Sequence, residues 1–149
     1  MSIFQAMNAS GSALTAQRLR MDVASSNIAN ANSTRASINE AGEWEPYQRK
    51  MVVLEPERQN FRHVLQQSTE NGSASGVKAS EIVEDEEPFK MAYNPSHPDA
   101  DDEGYVRVPN VDPLQEMVDM MSATRSYEAS VTSLNASKSM LMKALEIGR

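Results

Sequence analysis

The sequence predicts an α+β fold in which long N- and C-terminal helices pair as a coiled coil and carry a small β-rich insertion between them. Apolar residues recur every seven positions near the N-terminus, and an Asp-Pro pair opens a second helical pattern. Between them, apolar residues alternate with charged ones. The first two patterns are typical of amphipathic helices and the third of half-buried strands. The three segments are residues 1–35, 36–111 and 112–149.

The N-terminal helix is predicted to carry a narrow apolar stripe. The complementary heptad positions hold Gly11, Arg18 and Ser25, so the stripe buries too little apolar surface alone and requires a partner helix. Asn30 and Asn32 are expected to end the helix, because asparagine tolerates the left-handed conformation used at helix C-termini. The stripe consists of Met7, Leu14, Met21 and Ile28.

The C-terminal helix is predicted to be longer and to have a well-marked start. Asp112 can accept hydrogen bonds from free backbone N–H groups, and Pro113 suits the first helical position because it lacks an N–H. Gly148 is expected to end the helix. The apolar residues that follow the start, mostly at steps of three, four or seven, are Leu114, Met117, Met121, Val131, Leu134, Leu141 and Leu145.

The middle segment is predicted to be β-rich. Residues 44–56, 89–93 and 105–109 alternate apolar and polar side chains, as half-buried strands do. Residues 77–83 fit this alternation less cleanly and are consistent with a strand that contains a bulge. The serine and glycine residues at 68–76 predict a flexible loop, because no apolar side chain anchors them.

The charge and composition of the chain argue against several classes of function. The formal net charge is -7, and the acidity is concentrated in residues 40–111, which hold 7 basic and 15 acidic residues. Such a chain lacks the basic surface that nucleic acids and anionic membranes require. The absence of cysteine excludes disulfides, thiolate metal sites and thiol catalysis. Residues 1–30 lack the apolar stretch of a secretory signal, so any export is expected to use a route without a cleaved signal.

No pattern in the sequence predicts a catalytic, cofactor-binding or metal site. The acidic run at 94–104 resembles a calcium loop, but the position that needs a bidentate carboxylate holds Asn110. A turn held by aspartate side chains is therefore expected there. His63 and His97 belong to no spaced set of metal ligands, and the four carboxylates at 84–87 are expected to be exposed. We expect no enzymatic activity.

Three segments together resemble one known family. They are AQRLRMDVASSNIANANSTR near the start, NPSHPDADDEG in the middle, and GYVRVPNVDPLQEMVDMMSATRSYEASVTSLNASKSMLMKALEIGR at the end. In these segments the chain resembles the flagellar basal-body rod proteins, and among them the subunits of the proximal rod. The resemblance covers nearly the whole chain outside residues 55–90.

The resemblance implies a structural subunit of the bacterial flagellum. Such proteins pass unfolded through the flagellar type III export apparatus without a cleaved signal peptide, and they polymerise helically outside the inner membrane. Their paired terminal helices line a central channel while the middle segment projects outward, and the rod transmits torque from motor to hook. The implied partners are further copies, other rod subunits, basal-body ring and rod-base proteins, and the export apparatus. No nucleic acid, small-molecule substrate or cofactor is implied.

In such a polymer, the two apolar stripes on the terminal helices are the predicted assembly interface. This assignment comes from periodicity, since the motifs of the family do not identify which atoms touch which subunit. Each stripe is too narrow to be self-sufficient, so neighbouring subunits are expected to supply the missing apolar area.

Two other functions are compatible with parts of the sequence. A cytoplasmic helical adaptor or export chaperone would share the acidity, the paired helices and the lack of catalytic motifs, but it would stay inside the cell. A calcium-binding module centred on residues 99–103 is the second alternative. A calcium titration that produced no thermal shift would exclude it.

Overall fold

The computed structural model describes residues 3–40, 42–57 and 76–147. These residues form two helices and six strands, and the strands pair as three two-stranded sheets. The helices are α1 (Ile3–Ala29) and α2 (Pro113–Ile147). The strands are β1 (Ser37–Ile38), β2 (Trp44–Glu45), β3 (Lys50–Pro56), β4 (Val77–Glu84), β5 (Lys90–Tyr93) and β6 (Tyr105–Val108).

This order of elements confirms the α+β fold, with small sheets lying between the two terminal helices in the sequence. Strands β4, β5 and β6 occupy the segments in which the sequence predicts strands. The predictions for His63, for Gly148 and for residues 68–75 of the loop fall outside the described residues.

Helix α1 ends where the sequence predicts, but by a different mechanism. Its last residue is Ala29, and the backbone N–H of Asn30 donates to the carbonyl of Ser26 at 3.1 Å. The side-chain amide of Asn30 donates to the same carbonyl at 2.9 Å. Within the described ranges only glycines have a positive φ, so the left-handed conformation expected of Asn30 and Asn32 is wrong. A side-chain amide satisfies the end carbonyl instead.

Helix α2 starts as the sequence predicts. The Oδ1 atom of Asp112 accepts a hydrogen bond from the N–H of Leu114 at 3.0 Å, and Pro113 is the first helical residue. The carbonyl of Asp112 accepts from the N–H of Glu116, also at 3.0 Å. A carboxylate at this end is further favoured by the helix dipole. The Asp-Pro pair therefore fixes the residue at which α2 begins.

The single strand predicted over residues 44–56 is wrong, because this segment forms β2 and β3 separately. Residues 46–49 leave the ladder and bond elsewhere, since the N–H of Tyr47 donates to the carbonyl of Ser33 at 3.0 Å. The side chain of Tyr47 is buried here. Strand β1, which the sequence does not predict, pairs antiparallel with β2.

The other two sheets are also antiparallel. At one end of the β3–β4 pair the N–H of Glu57 donates to the carbonyl of Gly76 at 2.7 Å. At the other end the N–H of Asp85 donates to the carbonyl of Arg49 at 2.8 Å, so the two strands run in opposite directions. Strands β5 and β6 pair over four residues each.

The described residues cluster into two compact units. One unit draws on residues 3–20, 52–57, 76–81 and 122–147, and it combines the first part of α1 with the last part of α2. The other draws on residues 21–51 and 82–121, and it combines the end of α1 with the start of α2. Each unit therefore contains a segment of both terminal helices.

Small and polar side chains occupy the most buried positions of both helices. These are Ala16, Ala24 and Asn27 on α1, and Glu116, Ala123 and Ser137 on α2. The three α2 positions are separated by multiples of seven, and half-buried residues lie between them at steps of three and four, which is coiled-coil spacing. We call this face of α2 the buried seam. Its half-buried members are Met120, Tyr127, Ser130, Leu134 and Leu141. Neither described helix is long and apolar enough to cross a membrane.

A side chain at Gly76 is expected to destabilise the fold, because the side chains beside it would have to move. A Cβ atom there would lie 2.7 Å from Ser12 Oγ and 2.8 Å from Glu57 Oε2, and the same Ser12 Oγ accepts from the N–H of Val77 at 3.0 Å. Gly76→Ala should therefore lower the free energy of unfolding by about 1–3 kcal/mol, measured by chemical denaturation.

The matched control for this substitution is Gly11→Ala. A Cβ at Gly11 would meet nothing within 4 Å, so this change should stabilise the chain by about 0.5–1 kcal/mol because it removes a glycine from a helix interior. Equal effects of the two substitutions would contradict the tight contact at Gly76.

Candidate assembly interface

The side chain of Asn27, near the end of α1, makes all four hydrogen bonds that an amide can make. Its Nδ2 donates to the carbonyl of Lys50 at 2.8 Å and to Glu116 Oε2 at 3.0 Å. Its Oδ1 accepts from the N–H of Lys50 at 3.0 Å and from the hydroxyl of Tyr47 at 2.9 Å. Asn27 is only 1% exposed. It therefore joins α1 to the first residue of β3 and to α2 with no polar atom left unsatisfied.

Glu116, which is 2% exposed, is neutralised by Arg49. Its Oε1 accepts from Arg49 Nε at 2.6 Å. Arg49 Nη1 lies 3.1 Å from Asp85 Oδ2, and Arg49 Nη2 lies 3.5 Å from Asp119 Oδ2. Burial lowers the pKa of Arg49, but its hydrogen bonds to Glu116 and Asp85 outweigh burial and raise the pKa above its usual value. The guanidinium group therefore stays charged among three carboxylates.

Neighbouring groups extend these contacts to the rest of the unit. The N–H of Arg49 donates to Asn110 Oδ1 at 2.8 Å, and Asn110 Nδ2 donates to the carbonyl of Glu87 at 3.1 Å. Gln48 Nε2 donates to the carbonyl of Asp85 at 2.6 Å. These hydrogen bonds join the three connecting segments that follow β2, β4 and β6.

We call Asn27, Tyr47, Arg49, Asp85 and Glu116 the polar cluster. Burying charged groups carries a desolvation cost that close pairing only offsets, so the cluster adds little stability compared with an apolar core of the same volume. Its hydrogen bonds, however, can all be satisfied in only one arrangement of the end of α1, the start of β3 and the start of α2. The polar cluster therefore fixes the geometry from which α2 departs.

The acidic turn at 94–104 is held by its own side chains, as the sequence predicts. Asp101 Oδ1 accepts from the N–H groups of Glu103 and Tyr105, at 3.0 and 2.8 Å. Gly104 has a φ of 83°, a conformation that favours glycine. The side chain of Asp101 is thus bonded to the backbone of its own turn.

Asp99, in the same turn, binds the segment that follows α1. It accepts from Thr34 Oγ1 at 2.9 Å and from Arg35 Nε at 2.7 Å. The hydrogen bond from Arg35 lowers the pKa of Asp99. The N–H of Asp99 donates to His97 Nδ1 at 3.1 Å. In the described part of the chain, no three His, Cys, Asp or Glu side chains are grouped so that they could hold a metal ion.

The residues predicted for the assembly interface divide into two sets. Those half-buried within the chain's own fold are Met7, Leu14, Met21, Ile28, Val131, Leu134 and Leu141. Those exposed are Leu114, Met117, Met121 and Leu145. Two members of the first set, Leu134 and Leu141, belong to the buried seam. The exposed residues present more apolar surface to a neighbouring subunit than the half-buried ones do. The role of both sets in assembly stays a prediction.

An exposed apolar patch lies at the start of α2, and we call it the start patch. Its members, between 45% and 70% exposed, are Leu114, Met117, Val118 and Met121. Their spacing places them on one helix face, at about 140° around the axis from the buried seam. Grouped large apolar side chains of this kind mark interaction surfaces. Val118 is not a member of the stripe predicted from the sequence.

A second exposed apolar group occupies the last two turns of α2, and we call it the end patch. Its members, between 55% and 86% exposed, are Met140, Met142, Leu145 and Ile147. They point in several directions around the helix, because their spacing of two and three residues does not follow a single face. The end of α2 therefore offers apolar surface on more than one side.

Sequence reasoning missed the residues that hold this geometry, namely Asn27, Arg49 and Glu116. Asparagine and charged residues are usually exposed, so an apolar periodicity does not find them. One signal was present for Asn27, which follows Ala24 by three residues and therefore shares its helix face.

Two family models match the chain at its two ends. The model described as "Flagella basal body rod protein" matches residues 7–36, which contain most of α1. The model described as "Flagellar basal body rod FlgEFG protein C-terminal" matches residues 102–147, which contain β6 and α2. The matched regions include Asn27 and Glu116, the two ends of the hydrogen bond between the helices.

Relatives named flagellar basal-body rod protein FlgC are similar over the whole length. One from Bacillus subtilis (strain 168) is 57% identical, with 100% of both chains covered. One from Borreliella burgdorferi is 41% identical, with 99% of this chain and 98% of the relative covered. One from Escherichia coli O6:H1 is 40% identical, again with 100% of both chains covered.

Asn27→Ala should lower the free energy of unfolding by about 2–4 kcal/mol, because it leaves buried groups of Lys50, Tyr47 and Glu116 without their partner. Chemical denaturation followed by circular dichroism measures this loss. Asn30→Ala is the control, since it removes an exposed hydrogen bond to Ser26 and a 3.2 Å hydrogen bond from Ser33 at the same helix end, and it should cost about 1 kcal/mol or less. Similar small losses for both variants would show that the polar cluster does not hold the fold.

Asp85→Asn should weaken the fold near neutral pH and have less effect in acid. The N–H of Glu87 and the Arg49 guanidinium lower the folded-state pKa of Asp85 below its ordinary 3.8. The ionised carboxylate therefore stabilises the fold above that value, and this contribution is lost as the pH falls through the lower folded pKa. Unfolding should be measured from about pH 7 to about pH 2 for the original chain and the variant. The difference should shrink below pH 3.8, and a constant difference would contradict the assignment.

Proposed function

The chain belongs to the family of flagellar basal-body rod proteins and is a structural subunit of the rod, and we propose that it builds the proximal part of that rod. In this proposal copies of the chain assemble helically, outside the inner membrane, with the paired terminal helices innermost around the export channel. The segment 36–111 projects outward from the helices 1–35 and 112–149. Assembly is passive packing, so the proposal includes no catalytic step and no cofactor.

The observation that carries this proposal is the start patch on α2. Side chains as large as Leu114 and Met121 are exposed, while the fully buried positions of the seam hold Glu116, Ala123 and Ser137. Burying one such side chain against a neighbour contributes about 1.5–3 kcal/mol. A subunit that keeps large apolar side chains on its surface gains much of its order by assembling.

Stiffness would follow from the same packing. Under this proposal the rod carries torque from the motor to the hook, so its subunits must resist shear. Close helix contacts through small residues leave little room for sliding, because protein interiors packed at high density deform little. The proposed partners are further copies, other rod subunits, basal-body ring and rod-base proteins, and the flagellar type III export apparatus, which would export the chain without a cleaved signal peptide.

Met121→Asp should block assembly without weakening the isolated chain. The side chain of Met121 is exposed, so the monomer should lose about 0.5 kcal/mol or less. A carboxylate buried against a neighbour would lack a partner, so basal bodies should contain little of the variant and the cells should not swim. Ser122→Asp, at the next exposed position, is the control and should assemble normally.

Leu134→Asp should produce a non-motile cell for a different reason. Leu134 lies in the buried seam, so a charge there should destabilise the chain itself and stop the rod before its distal part. Purified basal bodies from export-competent and export-deficient cells should be compared for each variant. Normal swimming of the Leu134→Asp strain would contradict the helix pairing. A chain that stays soluble in the cytoplasm of both strains would favour the adaptor or chaperone function instead.

A further inference from the structure

An exposed apolar pair lies on the small sheet that follows α1. Ile38 on β1 is directly opposite Trp44 on β2, so the two side chains share one face of the sheet. They are 58% and 54% exposed. Tryptophan is one of the residue types enriched at the energetic centres of protein interfaces. We call residues 37–40 and 42–45 the acidic hairpin, because they contain three glutamates and no basic residue.

The acidic hairpin has a fixed shape. The N–H of Asn39 donates to the carbonyl of Glu43 at 2.9 Å, and Asn39 Oδ1 accepts from the N–H of Glu43 at 2.9 Å. The N–H of Gly42 donates to the carbonyl of Asn39 at 3.0 Å. At the other end of the hairpin, the N–H of Ala36 donates to the carbonyl of Glu45 at 2.9 Å. A surface that is ordered before binding loses little conformational entropy when a partner binds.

Three carboxylates of the acidic hairpin form no ion pair among the described residues. They belong to Glu40, Glu43 and Glu45. The basic residues nearest in the sequence are engaged elsewhere. Arg35 pairs with Asp99, Arg49 belongs to the polar cluster, and Lys50 Nζ lies 5.8 Å from the centre of the Tyr47 ring. The acidic hairpin therefore keeps negative charge that a partner can neutralise.

A cleft of about 420 Å³ lies beside the acidic hairpin. Glu45 of the hairpin lines it, together with Glu84, Lys50 and Arg35. All of these residues belong to the unit that combines the end of α1 with the start of α2. Because Arg35 is already paired, the unpaired charges in the described lining are two carboxylates and one ammonium group. A cleft of this size and charge accommodates a lysine or arginine side chain from another molecule.

The charge identifies the kind of partner. Residues 40–111 hold 7 basic and 15 acidic residues, so the same segment of a second copy would be repelled. Anionic lipid is disfavoured for the same reason. We propose that the acidic hairpin docks onto a protein other than this chain, with Trp44 in an apolar pocket that lysine or arginine side chains surround. This inference rests on the proposed function, and it names the surface that meets a non-identical neighbour and the chemistry of that neighbour.

Photo-cross-linking in whole cells tests this contact. A photoreactive benzoylphenylalanine takes the place of Trp44, the cells are irradiated, and mass spectrometry identifies the protein and the residue that are joined to position 44. The expected product is a different protein, cross-linked beside lysine or arginine residues. The same replacement at Ile82, an apolar residue of β4 that is 47% exposed, is the matched control and should give little of this product.

Reversal of the charge tests the basic rim. Glu40→Lys together with Glu43→Lys should lower the yield of the cross-link from position 44 by at least about tenfold, because like charges would then meet. Glu55→Lys together with Glu81→Lys changes the net charge equally on β3 and β4 and should leave the yield unchanged. All four glutamates are exposed, so circular dichroism should show both double variants folded.

The outcomes separate this inference from the proposed function. A chain that enters basal bodies but gives no cross-link from position 44, or cross-links only to its own copies, would overturn the inference and leave the rod assignment standing. An unchanged yield after charge reversal at Glu40 and Glu43 would overturn the inference in the same way. A cross-link to a basic site on another protein, from a chain that never enters basal bodies, would support the contact and overturn the rod assignment.

Discussion

The hydrogen bond between Asn27 and Glu116 is the interaction on which the rest of the structure depends. It joins the end of α1 to the start of α2, two segments that are 89 residues apart in the sequence. The same amide also holds the backbone of Lys50 at both its N–H and its carbonyl, so β3 begins at a fixed place beside the two helices. The amide of Asn27 can satisfy its four partners in only one geometry. Its hydrogen bonds therefore fix how the end of α1, the start of β3 and the start of α2 are arranged.

The interior of the described residues combines this polar centre with small apolar side chains. The largest fully buried side chains among the described residues are Glu116, Asn27 and Pro109, and most of the buried apolar residues on the helices are alanines. Alanine allows helix backbones to approach closely but contributes little apolar area. The chain therefore relies on specific bonds for its geometry and leaves many of its larger apolar side chains exposed. That division is suited to a subunit that becomes rigid in an assembly.

The sequence predicted the architecture better than it predicted the interior. Helix boundaries followed from local chemistry, as the capping of α2 by Asp112 and Pro113 shows, and these signals do not depend on distant residues. The break between β2 and β3 could not be predicted in this way, because it arises from bonds to residues remote in the sequence, such as Ser33. The predicted stripe of α2 consists of large apolar residues and so contains both Met117 and Leu134. In the structure Leu134 belongs to the buried seam and Met117 to the opposite, exposed face.

A double-mutant cycle tests the central role of the polar cluster most directly. The free energy of unfolding would be measured for the original chain, for Asn27→Ala, for Glu116→Ala and for the double variant. Because each residue is the buried partner of the other, the two substitutions should be strongly non-additive, with a coupling of about 1–3 kcal/mol. Additive losses, with a coupling near zero, would show that α1 and α2 are held together by something other than this bond.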